Sequence, residues 1–184
     1  MRKLKLQVQM TVDGYIAGLN GEMDWMTFNW DDELAKYVTE ITEPVDCIVL
    51  GRKLAQGFIK HWASNPDQEG AEKINSSKKV VFTKTLDNSE WDNTVLAKGD
   101  LVDEITKLKT QNGKEIIAYG GATFVSALIK QGLIDEFHLF INPTVIGNGM
   151  TIFKELDSRQ NLTLVKSISF DCGIVVLNYV PKRN

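Results

Sequence analysis

Three short stretches, VDCIVL at 45–50, KKVVFT at 78–83 and EIIAY at 115–119, read as buried strands and are separated by segments of helical period. No other feature constrains the fold as tightly. A strand that alternates apolar and polar residues needs one covered face, whereas a strand apolar at nearly every position needs cover on both. Helices lying between such strands supply that cover, and the strands they join run parallel. The spacing predicts a helix from Asp31 or Asp32 to Ile41, with Leu34, Val38 and Ile41 on one face. A short helix follows over GRKLAQGFI. A third starts at Asp100 with Leu101, Ile105 and Leu108 inward, and a fourth runs from Thr123 to Gln131 and stops at Gly132. The first run, 3–12, alternates and reads as a strand with Leu4, Leu6, Val8 and Met10 on its apolar face. TVLA at 94–97 is a shorter strand. EFHLFINP, LTLVKSISF and IVVLNYV are strands without helices between them, the last two flanking a turn at DCG. The expected architecture is α/β: about eight strands in a mostly parallel sheet, an antiparallel C-terminal hairpin, and about four flanking helices. At 184 residues, one domain spanning 1–184 is expected.

Composition excludes several classes. The formal charge is −3, and the densest internal basic clusters are the pairs at 52–53 and 78–79, so no nucleic-acid partner is expected. The two cysteines, Cys47 and Cys172, lie far apart and read as reduced thiols. No CxxC or HxxxH spacing suggests a metal. The opening MRKLKLQVQM alternates like a strand rather than a signal peptide, and no apolar run approaches the roughly 20 residues of a membrane span. A soluble, cytoplasmic chain without a membrane partner is the expectation.

In parallel sheets ligands bind beyond the carboxyl ends of the strands. Three stretches fall there. YGGAT at 119–123 puts two glycines between strand and helix, where main-chain N–H groups meet an oxyanion without a Cβ in the way and the helix N-terminus adds partial positive charge. Gly51-Arg52 repeats the arrangement, with a guanidinium fork suited to phosphate. Thr83 and Lys84 offer a hydroxyl and an ammonium. Each has a plainer reading as a turn or a solvated strand end; their coincidence favours a dinucleotide. The GxGxxG and Walker A patterns are absent.

TVDGYIAG at 11–18, VDCIVLGRK, KKVVFTKTL and the long block IIAYGGATFVSALIKQGLIDEFHLFINPTVIGNGMTIF resemble the dihydrofolate reductase-like superfamily. Within it they are most similar to the reductase domain of the bifunctional riboflavin-biosynthesis deaminase–reductase and its stand-alone relatives. The resemblance implies a three-layer dihydrofolate reductase-like fold and NADPH as cofactor. It places Gly51, Arg52 and Lys53 on the cofactor phosphates and Thr83 and Lys84 near the adenosine ribose and its 2′-phosphate. Gly120, Gly121, Ala122 and Thr123 would hold the pyrophosphate, Ile16 and Ala17 would face the nicotinamide, and Gly147 and Gly149 would lie at the site's rim. It further implies a small heterocyclic substrate, the best-named activity being reduction of 5-amino-6-(5-phosphoribosylamino)uracil, and relatives of this kind are often homodimers. Leu54 stands where many relatives have Thr, and the zinc-binding HxE and PCxxC of the deaminase are missing. A folate substrate and a non-catalytic nucleotide-binding module are the alternatives.

Reduction of a carbonyl or imine needs an acid beside the heteroatom that gains charge. Asp13, which heads the loop implied to face the nicotinamide, is one candidate; Asp-Gly is also a common turn. Asp32, in the Asp31-Asp32-Glu33 cluster at the first helix, is the other; capping is its plainer role. Trp25, Trp30 and Trp62 are candidates to wall a flat ring, and His61 to meet a substrate phosphate. His138 reads as a sheet-face residue, and Asp135 and Glu136 as the start of its strand.

Overall fold

The computed structural model describes residues 1–182, so the last two positions of the expected 1–184 unit lie outside the described residues. The elements in chain order are β1 (Leu4–Thr11), α1 (Asp32–Thr42), β2 (Val45–Gly51), α2 (Arg52–Ser64), α3 (Ala71–Ser76), β3 (Lys78–Phe82), β4 (Thr94–Ala97), α4 (Leu101–Thr110), β5 (Glu115–Ala118), α5 (Ala122–Lys130), β6 (Glu136–Asn142), β7 (Leu162–Ser169) and β8 (Val175–Pro181). They form one eight-stranded sheet in the order β4-β3-β2-β5-β1-β6-β8-β7. The pairings from β4 to β6 are parallel and the two that hold β8 are antiparallel.

Among the described residues there are five helices, one more than the sequence predicted. The extra one, α3, has only six residues, too few to display a period. Its C-terminal end is closed by Lys79, a lysine 1% exposed inside the apolar-looking run of β3, whose Nζ donates to the carbonyls of Asn75 and Ser77 at 2.9 Å each. A lysine can be buried there because the last carbonyls of a short helix offer it acceptors. Helix α2 also runs five residues past the expected GRKLAQGFI.

The sheet's two faces are packed differently. One face buries a single continuous core: Leu4, Leu6 and Val8 of β1 meet Ile105 and Leu108 of α4 and Val125 and Leu128 of α5. The opposite face carries two separate apolar clusters. Ile48, Leu50, Val81 and Ile117 lie under Ala55 and Ile59 of α2. Phe140 and Val176 lie under Leu34, Tyr37 and Ile41 of α1. Between them runs the polar side of β1. The residues that alternate with the apolar face of β1 are buried too: Lys5, Gln7 and Thr11 are 6%, 8% and 0% exposed. β1 lies between β5 and β6 inside the sheet, and its polar residues are enclosed with it.

Lys5 is held there by the carbonyl of Ile41 at 3.2 Å and by Glu115 at 2.5 Å. Beside it, His138 Nδ1 hydrogen-bonds with Tyr37 Oη at 2.8 Å, and its Nε2 lies 3.0 Å from Glu136 Oε1. The hydrogen bond from His138, with the charges of His138, Lys5 and Lys3, holds the Glu136 carboxyl down to about 2, against 4.5 for a free glutamate. A group depressed in this way contributes stability above its unfolded pKa and loses it as pH falls through the folded one. The midpoint of urea unfolding is therefore expected to drop between pH 4.5 and 2, and Glu136→Gln to flatten that part of the profile. An equally steep acid limb in the variant would refute this. The sheet's edges are β4 and β7, and on β7 Leu164 and Val165 are 50% and 59% exposed.

Candidate functional site

All six parallel strands point their carboxyl ends the same way, and every cofactor-binding stretch inferred from the sequence follows one of them. Gly51 ends β2 and Gly120-Gly121 follow β5, its neighbour in the sheet. Gly120 and Gly121 have φ of +138° and +85°, torsions that residues with a Cβ rarely adopt. The backbone therefore demands glycine at both before any ligand is considered. Gly51 has an ordinary φ of −74°, and its requirement is spatial: a Cβ there would stand 2.8 Å from Phe124 Cβ of α5. The two strand-to-helix turns are thus in contact.

Their helices share a further property. Asp31 caps α1 by accepting from Leu34 N, and Asp100 caps α4 by accepting from Val102 and Asp103 N. The N-caps of α2 and α5 are Gly51 and Gly121, and neither helix has a side-chain cap. Two first turns with N–H groups unclaimed by side chains therefore lie side by side, both helices' positive ends facing one region. Arg52, half-buried, and Lys53, exposed, enter no ion pair among the described residues. Ala122 and Thr123 open α5, and Thr123 Oγ1 accepts from Lys154 Nζ at 3.3 Å. Lys154, which also lies 3.9 Å from Glu155, brings a cation to the α5 turn. Nothing near it in the chain signalled this, because 31 residues separate it from its partner.

Thr83 and Lys84 lie at the end of β3, next to β2, but both are engaged. Thr83 Oγ1 accepts from Thr85 and Leu86 N at 3.1 Å each, and Lys84 Nζ donates to the carbonyls of Lys98 and Gly99 at 2.7 and 3.1 Å. The ammonium remains exposed and one of its three donors stays free for a ligand. Ile16 and Ala17 form a short bridge with Met150: Ile16 N donates to Met150 O and Met150 N to Ala17 O, both at 2.8 Å. Gly149 permits this contact, since a Cβ there would fall 2.3 Å from Ala17 O.

The two acid candidates separate. Asp13 is tied to the rim: its carboxylate accepts from Gly147 N at 2.7 Å and from Ile146 N at 3.2 Å. The Thr11 hydroxyl foremost, with these N–H groups, holds its carboxyl below the usual carboxylate range. An exposed carboxylate so held is a loop tie and a poor proton donor near neutral pH, which counts against the expected role. In the helix cluster, Asp31 is the cap and also accepts from Cys172 N at 3.0 Å, leaving Asp32 exposed in the first turn of α1. The tryptophans do not converge. Trp25 and Trp30 turn their indole N–H groups back onto the carbonyls of Glu22 and Thr27 in their own loop. Trp62 and His61 lie near the C-terminal end of α2, about 13 Å along the helix from Arg52. His61 bonds Gln68 there and is not brought to the site. Two hollows, of about 670 and 270 Å³, open at the opposite end of the sheet. The loop after β1 is anchored over the site's edge by Asn142, fully buried, whose Oδ1 accepts from Thr27 N at 2.9 Å.

Comparison with known proteins gives a consistent set. The profile described as the RibD C-terminal domain matches residues 2–176. The uncharacterized protein YyaP of Bacillus subtilis is 34% identical over 183 residues, covering 97% of this chain and 94% of its own. Among solved structures, a putative riboflavin biosynthesis protein from Shewanella sp. PV-4 superposes with a TM-score of 0.77 at 25% identity and covers all of both chains. The diaminohydroxyphosphoribosylaminopyrimidine deaminase/5-amino-6-(5-phosphoribosylamino)uracil reductase of Thermotoga maritima gives 0.71 at 18% identity, with 98% of this chain lying on 57% of that one.

Proposed function

We propose that this chain, which belongs to the RibD C-terminal domain family, is an NADPH-dependent reductase of a pyrimidine- or pteridine-like small molecule. The activity nearest to this description is reduction of 5-amino-6-(5-phosphoribosylamino)uracil. The observation that carries the proposal is the pair of uncapped helix N-termini at Gly51 and Gly121, in contact through Phe124 and flanked by the unpaired cations Arg52 and Lys53. Unclaimed N–H groups and free cations at one end of a sheet fit a ligand with linked phosphates. When bound, the nicotinamide supplies the hydride. Arg52 and Lys53 bind phosphate, and the first turn of α5, from Gly121 to Thr123, holds the pyrophosphate with Lys154 beside it. Lys84 offers its remaining donor to a 2′-phosphate. The Ile16–Ala17 segment is held rigid by Met150 and forms one wall of the nicotinamide position. Asp32 is the side chain assigned to supply the proton.

Titration with NADPH and NADH, followed by tryptophan quenching, tests this. NADPH is expected to bind at least tenfold tighter than NADH, about 1.4 kcal/mol of preference for one ammonium donor and its surroundings. Binding of neither nucleotide would make Gly120-Gly121 a plain turn and remove the reductase reading. Tight binding without turnover of any pyrimidine or pteridine would favour a nucleotide-binding module. No helix among the described residues is long and apolar enough to cross a membrane. The exposed β7 edge is assigned to a second copy of the chain, because an uncovered apolar edge strand invites pairing. A monomer in analytical ultracentrifugation at micromolar concentration would oppose that.

A further inference from the structure

The split between the two apolar clusters under α1 and α2 leaves a strip of sheet whose central residue is Gln7. Its register neighbour on β6 is His138. On β5 the pairing Leu6–Ala118 places Tyr119 next to it on the other side. His138 is bonded to Tyr37 of α1, and Tyr119 is stacked on Phe58 of α2 with centroids 5.3 Å apart. Gln7 therefore floors the gap between the two helices, one step before the glycine pair. It is 8% exposed, and its Oε1 is buried with no hydrogen-bond partner. A buried amide oxygen left unbonded is unfavourable, and folded chains rarely keep one without a reason.

Building on the reductase reading, we infer that the Gln7 amide contacts the substrate ring and selects an uncharged ring with a lactam or imide edge. A primary amide offers one acceptor and one donor group and no charge, which complements an N–H beside a C=O. A protonated amidine-type edge, as on a 2,4-diaminopyrimidine, calls for a carboxylate instead. The carboxylates at the foot of this strip, Glu115 and Glu136, are already paired with Lys5 and His138. Their charges are spent within the fold, and Asp32, on the exposed first turn of α1, is assigned to the reacting heteroatom rather than to this ring edge.

The test uses the full chain saturated with NADPH and two probe rings, 5,6-diaminouracil and 2,4-diaminopyrimidine, titrated calorimetrically. The wild-type chain is expected to bind the uracil and to bind the diaminopyrimidine at least tenfold more weakly. Gln7→Leu and the closer-shaped Gln7→Met are expected to lose the uracil at least tenfold. NADPH affinity should stay within twofold and Tm should rise by roughly 2–4 °C, because an unbonded polar atom has been removed. Gln7→Glu is expected to shift preference toward the diaminopyrimidine. If either apolar variant binds the uracil as tightly as wild type, or the wild type binds the diaminopyrimidine equally well or neither ring, the inference is overturned while NADPH binding leaves the reductase reading standing. Absence of NADPH binding by the wild type overturns both.

Discussion

Replacing Arg52 by alanine is expected to lower affinity for the proposed NADPH by roughly 10- to 100-fold and to leave the fold intact. Arg52 is the first residue of α2, beside an uncapped turn, and has no ion pair among the described residues. A hydrogen bond to a charged group is worth about 1.5–3 kcal/mol, and each 1.4 kcal/mol is a factor of ten. The guanidinium makes no hydrogen bond or ion pair among the described residues, so Tm should move by no more than about 2 °C, the range of an ordinary surface substitution. Arg52→Lys restores the charge but not the two-pronged geometry, and should recover only part of the loss. Fluorescence titration at low and high salt measures both effects, since a phosphate contact weakens as salt screens it. Unchanged affinity in Arg52→Ala at low salt would remove the α2 N-terminus from the proposed cofactor site.

Gly149→Ala has the larger effect on the fold. The new Cβ would fall 2.3 Å from the carbonyl oxygen of Ala17 and close to Tyr15 and Ile146. The obstacle is main chain, so no rotamer change relieves it. One of the two segments must move, and with it go the two 2.8 Å bonds that join Ile16 and Ala17 to Met150. Two lost bonds and a displaced loop amount to about 2–4 kcal/mol, or a fall in Tm of roughly 5–15 °C. Because this bridge forms one wall of the proposed nicotinamide position, kcat should fall more than affinity for the cofactor's phosphates, for which 2′-phospho-ADP-ribose is the probe. A variant with wild-type Tm and wild-type turnover would show that the bridge is dispensable. Gly147→Ala provides the contrast: nothing lies within 4 Å of its added Cβ, and only the left-handed torsion of +73° opposes it.

The site was legible where chemistry and chain order coincide. Gly51-Arg52 and Gly120-Gly121 could be found because a strand followed by glycine and a helix places both at the carboxyl edge of a parallel sheet. Their roles were less legible. Gly120-Gly121 looked like room for a ligand, and the positive φ values make the pair a backbone requirement as well. Asp13 looked like an acid because it heads the loop; its partners, Ile146 and Gly147, lie more than 130 residues away and turn it into a tie. Lys154 and Gln7 carried no local signal, since each matters only through elements distant in the chain.

Eight strands, four of the five helices and the parallel core with its antiparallel hairpin follow from the amino-acid order alone. Periodicity, capping and turn chemistry act over a few residues, and those preferences are written in adjacent positions. The order of strands across the sheet was decided only in three dimensions. That order makes β1 central and buries its polar side, and it sets the turns after β2 and β5 against each other through Phe124. Which faces pair depends on the joint burial of all the apolar surfaces at once, and so does the exposure of any polar group left between them.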